Sequence, residues 1–404
     1  TDYPDYDGHA NVSSCLSLNQ NLYQAEPMRR TADIVVLGVG GFGSACLAQL
    51  AMRGVSVLGI DQFLPGHDRG SSHGETRIIR QAYYEHVDYV PLVLRAYEQW
   101  RELEAESGRS LMEICGLALA GPVDGEAIEG SRLAAKLHKA EIQDLSPREA
   151  ADRLSGFRIP EGFEVVFEPP GGFLHVENSV RCQVDLAIRH GAQLAIGETV
   201  EGWSSHGDTV IVQTNRGTIE AASLVIAAGA WASSLLAGRD RVPDIQVLRK
   251  VMLWNPVRTQ SYSIENGGCG FLFEMPHGTF YGFPSLDGKT LKLAEHSGGT
   301  PATDPHTLDR SLMNADVSPV AEFVRQVMPN LDPKPARHAV CMYSMSPDGH
   351  FIVDRHPDFS NVVFGAGFSG HGFKFTPVIG EALADLALER ATDLPIDFLS
   401  LDRF

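Results

Sequence analysis

Asp33-Ile34-Val35-Val36-Leu37-Gly38-Val39-Gly40-Gly41-Phe42-Gly43 is the stretch that decides the fold. The apolar run through Leu37 is what a strand buried on both faces of a parallel sheet requires. Gly38, Gly40 and Gly43 then follow in the spacing G-x-G-x-x-G. The first allows a tight turn, the second lets the backbone approach a pyrophosphate, and the third lets helix and strand pack closely. A helix is predicted from about Phe42 to Arg53, with Leu47, Leu50 and Ala51 on its inner face and Gly54 as its stop. Its N-terminus would face the phosphates. A second apolar run, Val55 to Ile60, ends at Asp61, eighteen residues after Gly43, where a carboxylate can accept from ribose hydroxyls. The glycine spacing alone is weak evidence; set between strand and helix and closed by an acid, it marks a dinucleotide site. An acid at that point favours FAD or NAD over NADP.

Two later segments read as parts of the same sheet. Ala222 to Trp231 is an apolar strand running into a small-residue turn, and Asn361 to Gly367 is another, followed by a helix from about Pro377 to Glu389. Between them, Tyr262-Ser263-Ile264, Phe271-Leu272-Phe273, Thr279 to Phe283 and Thr290 to Leu293 alternate with turns. The predicted fold class is α/β: a discontinuous Rossmann-like cofactor domain (32–106, 177–245 and 340–404) and a mainly antiparallel β-sheet substrate domain (107–176 and 246–339). Residues 1–31 are expected to be a leader without a fold role, with Met28 as a natural start.

Bulk properties bound the function. A chain of 404 residues suggests two domains sharing one site. The 33 basic and 51 acidic residues give a formal charge of −18, which disfavours nucleic acid and anionic membrane as partners. No apolar run reaches the roughly 18–20 residues of a membrane helix. Six cysteines (15, 46, 115, 182, 269 and 341) show neither C-x-x-C pairs nor metal spacing, so reduced thiols, no metal site and a cytoplasmic location are expected.

Three further segments carry chemistry. Gly70 to Tyr83 holds Arg77 and Arg80, which either reach inward toward a cofactor and a carboxylate or lie solvated on a helix face. Lys292 sits between Leu291 and Leu293, so strand alternation puts it on one face with Thr290 and Ala294. There it is either a lysine on the wet side of a sheet or one that stabilises negative charge developing on oxygen. Cys341 opens the run Cys341-Met342-Tyr343-Ser344, and about 25 residues on comes Gly367-Phe368-Ser369-Gly370-His371-Gly372-Phe373-Lys374. A lone cysteine is usually a buried, inert thiol.

Taken together, Leu37–Asp61, Ser71–Tyr83, Tyr281–His296, Cys341–Ser344 and Gly367–Phe375 resemble the monomeric sarcosine oxidase and N-methyltryptophan oxidase family of FAD amine oxidases. The likeness extends from about residue 32 to the closing Asp402-Arg403-Phe404. It implies FAD, joined through sulfur at Cys341, and oxidation by O2 of the N-methyl group of a secondary amino acid, with formaldehyde and hydrogen peroxide as products. It implies Lys292 as the oxygen-activating lysine, Arg77 as a cation by the flavin, and Arg80 with Lys374 as the pair that binds the substrate carboxylate. Tyr281, His296, Tyr343, Leu272 and Gly370 are implied around the substrate. Phe42, Ser71, His73, Val200, Gly229, Met342, Gly370, Gly372 and Lys374 are implied along the cofactor. A monomer is expected, with an amino acid and O2 as small-molecule partners. Gln81 stands where relatives commonly have histidine, Leu272 where the sarcosine enzyme has methionine, and Ser344 where threonine is usual. These departures leave open a pipecolate-like or glycated amino acid as substrate. An FAD dehydrogenase with another electron acceptor also stays open.

Overall fold

The computed structural model describes residues 30–236, 241–388 and 391–404. Most of the expected leader therefore lies outside the described residues, and Arg30 and Thr31 already belong to the first strand, β1 (Arg30–Leu37). Helix α1 (Gly41–Met52) and strand β2 (Val57–Asp61) follow, and β1 and β2 pair in parallel. β2 starts two residues later than the apolar run, because the Val55 amide still donates to the Leu50 carbonyl at 3.2 Å. Gly54, at φ 78°, makes that left-handed exit from the helix at no steric cost.

Gly217–Ile226 lies parallel to β1 on its other side, with Phe359–Ala366 parallel beyond it, and Gln193–Ile196 extends the sheet past β2. The last long helix is Thr376–Ala387; the expected end at Glu389 lies outside the described residues. One core forms where α1 and this helix cover the sheet, with Val36, Leu47, Leu50 and Ile379 at its centre.

The second sheet runs from Gln246–Pro256 through Thr290–Glu295, Gly278–Gly282 and Gly270–Met275, all antiparallel. Leu117–Pro122 then joins in parallel, with Phe163–Glu168 beyond it. Its core holds Leu253, Phe271, Phe273, Leu291 and Leu293, and Phe280 stacks 4.7 Å from Phe323 of the helix Asn314–Val327.

Three expectations need correction. Arg337–Met345 pairs along its length with Gln246–Pro256, so a domain boundary at 340 cuts through a strand of the second sheet. Strand β3 (Thr76–Ile79) pairs with Gly172–His175, which also holds Met112–Ile114, so one small sheet joins segments assigned to different domains. An apolar run reports burial, not which strand lies alongside. Tyr262-Ser263-Ile264 is not a strand but lies across two 3-10 turns, held by Ser263 Oγ on the Gln260 carbonyl and by the Tyr262 hydroxyl on the Gly156 carbonyl. Among the described residues no helix is long and apolar enough to cross a membrane, and no cluster of His, Cys, Asp or Glu is placed to hold a metal ion.

Candidate active site

A single groove runs from the C-terminal ends of the parallel strands to the face of the second sheet. At one end it is walled by Gly38, Gly40, Gly41 and Phe42 after β1, by Asp61 after β2, and by Ala228 and Gly229 after Gly217–Ile226. Open α/β sheets bind ligands at this edge. The α1 N-cap is Gly40, which has no side chain to cap the helix; Ser72 Oγ accepts from the Gly41 amide at 3.2 Å, and the positive end of the helix faces the groove. Asp61 is oriented by the Val39 and Phe63 amides, which donate to its two oxygens at 2.7 and 2.9 Å. Each carboxylate oxygen keeps a further lone pair for a ligand.

The middle of the groove is where β3 meets Arg337–Met345. Arg77 lines it, and its Nη2 donates to the Ser71 carbonyl at 2.7 Å and lies 3.5 Å from Cys341 Sγ. Cys341 is buried just behind the wall that Met342, Tyr343 and Ser344 line. Lys292 is on the face opposite Leu291 and Leu293, as alternation predicts, yet that face is not wet: the side chain is 4% exposed. Nor does it line the groove. Its ammonium donates to the Gly74 and Thr76 carbonyls at 2.5 and 2.7 Å and to Thr76 Oγ1 at 3.2 Å. Burial first, and then the Arg77 charge, hold its pKa well below the ordinary lysine value.

The far end is the cationic one. Leu272 and Tyr281 are cross-strand partners, and with His296, Tyr343 and Gly370 they wall this part of the groove. His296 Nδ1 lies 3.3 Å from the Tyr343 hydroxyl, and burial, followed by Lys250, pushes the imidazole down to about 4. Gly370 sits at φ 80°, and a Cβ there would come within 2.3 Å of the Tyr343 ring. Arg80 lines the groove, but its guanidinium is already paired with Glu85, donates to the Ala82 carbonyl at 3.0 Å, and lies 4.1 and 4.2 Å from the Tyr83 and Tyr84 ring centres. Burial opposes the Glu85 charge, but Arg80, His371 and Lys374 more than offset it and hold the carboxyl near 2. Lys374 rests on neutral acceptors, the His371 carbonyl at 2.6 Å and the Tyr83 hydroxyl at 3.4 Å. Burial, then Arg80, lower it to about 7, while Glu85 and Glu168 act the other way.

The structure thus brings most of the expected residues to one groove, Val200 and Gly372 included, while Gly43, His73, Lys292 and Cys341 are not part of its lining. Glu85, Tyr84, His371, Glu198 and Trp231 also line it, and sequence reasoning passed over them. The spacing of Glu85 five residues after Arg80 was the available signal for one of these. Nothing local marks Glu198, which reaches the groove from the turn after Gln193–Ile196.

FAD fits these residues. Two buried side-chain atoms of groove-lining residues, Glu198 Oε2 and Ser344 Oγ, have no hydrogen-bond partner among the described residues, so the wall has polar capacity to spare. The third glycine is sterically obligatory: a Cβ at Gly43 would stand 1.7 Å from the Gly38 carbonyl oxygen. Gly43→Ala should therefore push α1 off β1, at a cost of about 1–3 kcal/mol or more in stability. Thermal melting together with the flavin-to-protein absorbance ratio checks this, and both are expected to fall.

Known proteins share this arrangement. The family described as FAD dependent oxidoreductase matches residues 33–386. The chain is 39% identical over 374 residues to a monomeric sarcosine oxidase of Bacillus sp. (strain NS-129), covering 92% of this chain and 96% of that protein. It is 34% identical over 376 residues to an N-methyl-L-tryptophan oxidase of Yersinia pestis (strain Pestoides F), covering 92% and 99%. Among solved structures, NikD, described as an unusual amino acid oxidase essential for nikkomycin biosynthesis, superposes with a TM-score of 0.81 at 26% identity, over 92% of this chain and 97% of that one. The L-proline dehydrogenase of P. horikoshii shares the fold at a TM-score of 0.81 and 23% identity, over 93% and 98%. The chain belongs to the FAD-dependent oxidoreductase family, in the group that holds the monomeric sarcosine oxidases and the N-methyl-L-tryptophan oxidases.

Proposed function

We propose that the protein oxidises the N-methyl group of a secondary amino acid with O2, giving the primary amino acid, formaldehyde and hydrogen peroxide, and that its FAD is attached through Cys341. The observation that carries this reading is the continuity of the groove, which leads from a dinucleotide cradle at Gly38–Phe42 and Asp61 to buried cations at Arg80 and Lys374. A net-acidic protein needs such local cations to hold an amino acid carboxylate.

Bound there, FAD supplies the two-electron acceptor for the C–H bond beside the substrate nitrogen. The residues do the rest. Lys374 anchors the carboxylate, and Arg80 joins it by sharing its guanidinium between the substrate and Glu85. Holding one end of the substrate fixes the N-methyl carbon and removes much of the entropic part of the barrier. Leu272, Tyr281 and Tyr343 exclude water from the reacting end. The nitrogen must react as the free amine, since an ammonium has no lone pair, and the surrounding cations lower the amine's pKa on binding. Lys292 contributes positive charge from behind Arg77 while oxygen is reduced. The overall exchange balances: one secondary amine, one O2 and one water give one primary amine, one formaldehyde and one hydrogen peroxide.

The test is stoichiometric. Aerobic turnover of sarcosine or N-methyl-L-tryptophan should yield formaldehyde and peroxide in a one-to-one ratio; substrate loss without peroxide would instead favour a dehydrogenase with another acceptor. A pH dependence follows as well. Lys374 attracts a carboxylate only as an ammonium, so affinity for a simple carboxylate is full below about pH 7 and lost as pH rises through that value. The loss should approach tenfold per pH unit until the bound-state pKa is reached. Flavin absorbance titrations with acetate at pH 6 to 9 measure it, and a flat profile would remove Lys374 from the anchor.

A further inference from the structure

The atoms around Lys374 fix which way its protons point. His371 follows two left-handed residues, Ser369 at φ 46° and Gly370 at φ 80°, which turn its carbonyl toward Lys374 Nζ. Its Nε2 lies 3.0 Å from the Gly349 carbonyl oxygen. A carbonyl only accepts, so Nε2 carries a proton. Burial pushes the imidazole down to about 3, so it is neutral at working pH, and Nδ1 is the bare acceptor. The Tyr83 hydroxyl lies in short contact with that Nδ1 and 3.3 Å from the His371 carbonyl oxygen. It therefore donates toward His371 and turns a lone pair to Lys374, 3.4 Å away. The backbone of Lys374 is held from α2 (Tyr89–Ser107), where Trp100 Nε1 donates to its carbonyl at 2.9 Å.

We infer that Tyr83 and His371 are positioning residues for Lys374: the imidazole orients the phenol, and the phenol presents an acceptor that keeps Lys374 a donor. Two of the three ammonium protons are directed at the His371 carbonyl and the Tyr83 oxygen. The third is left for the groove that Lys374 lines. The inference rests on the reading of Lys374 as a carboxylate anchor. It goes beyond that reading in assigning the protonation of the anchor to two residues that need not touch the carboxylate.

The sign of the effect is set by chemistry. Without the imidazole acceptor the Tyr83 hydroxyl is free to donate to an unprotonated Lys374, which favours the neutral amine. Other charged or titratable groups face Lys374 too: Arg80 and Glu85 beyond β3, Glu168 from Phe163–Glu168, and His296 after Thr290–Glu295. These are unchanged in the variants, so a difference in titration reports the pair.

The experiment uses flavin-loaded protein and acetate as the probe, with binding followed by flavin absorbance from pH 6 to 9. His371→Phe keeps a ring against Phe351 but has no acceptor, Tyr83→Phe removes the phenol, and His371→Gln restores an acceptor. The midpoint at which acetate affinity is lost is expected to fall by about one pH unit in His371→Phe and Tyr83→Phe, weakening acetate roughly tenfold at pH 7.5, and to recover in His371→Gln. With substrate, the same variants should raise KM far more than they lower kcat. Identical midpoints in native and variant proteins would overturn the inference and leave the anchor reading standing. No pH-dependent acetate binding in the native protein would overturn both. If a phenylalanine variant fails to fold, the other two proteins still decide, because both outcomes can be read from either substitution.

Discussion

Lys292→Met is expected to leave anaerobic reduction of the flavin by substrate within a few-fold of native and to slow reoxidation by oxygen on the order of a hundredfold or more. The argument starts from burial. Lys292 is enclosed by Phe283 at 4.6 Å and Trp254 at 5.7 Å, with its ammonium on the Gly74 and Thr76 carbonyls. In so dry a place a positive charge acts strongly on negative charge developing nearby, far more than it would in water. Reduction of the flavin generates no such charge on oxygen, so the two half-reactions should separate. The substitution has a second consequence, since it leaves the Gly74 and Thr76 acceptors without their donor, at about 1–3 kcal/mol. A lower melting temperature is therefore expected and does not discriminate. The discriminating result comes from double-mixing stopped flow: equal slowing of both half-reactions would make Lys292 a pin for the turn before Arg77 and nothing more.

Cys341→Ala is expected to convert a flavin that stays with acid-precipitated protein into one that is released to the supernatant. Cys341 Sγ lies 3.5 Å from both Arg77 Nη2 and the Ser71 carbonyl oxygen, at the point where the cofactor groove meets the second sheet. Burial pushes the other buried thiols, Cys46, Cys182 and Cys269, upward, Cys269 to about 12, and none of the three lines the groove. Flavin that remained attached to the alanine variant would transfer the linkage to another residue. Native protein that released its flavin would abolish it.

How much of this was legible in the sequence depends on the kind of interaction. The β1–α1–β2 unit was readable because its signals are local: an apolar run, glycines at fixed offsets and a closing carboxylate. Alternation likewise placed Lys292 opposite Leu291 and Leu293. It did not show that the opposite face is covered by β3, which turned an expected wet or cofactor-facing lysine into one buried behind Arg77. The pairing of Arg337–Met345 with Gln246–Pro256 was missed for the same reason, as both strands announce burial and neither announces the other. At the cationic end, Arg80 and Lys374 are each a cation with an apolar residue beside it, Ile79 in one case and Phe373 and Phe375 in the other. The five-residue spacing to Glu85 was a signal for Arg80, but it takes the fold to show that Arg80 is already paired with that glutamate whereas Lys374 rests on neutral acceptors.

The most direct test of the central claim is anaerobic. Flavin-loaded protein is mixed with sarcosine and, separately, with N-methyl-L-tryptophan, and the flavin absorbance is followed. Rapid bleaching by one of them is predicted, and which one does so tells a small substrate pocket from a large one. A flavin that dithionite reduces and neither amine bleaches would contradict oxidation of N-methyl amino acids by this protein.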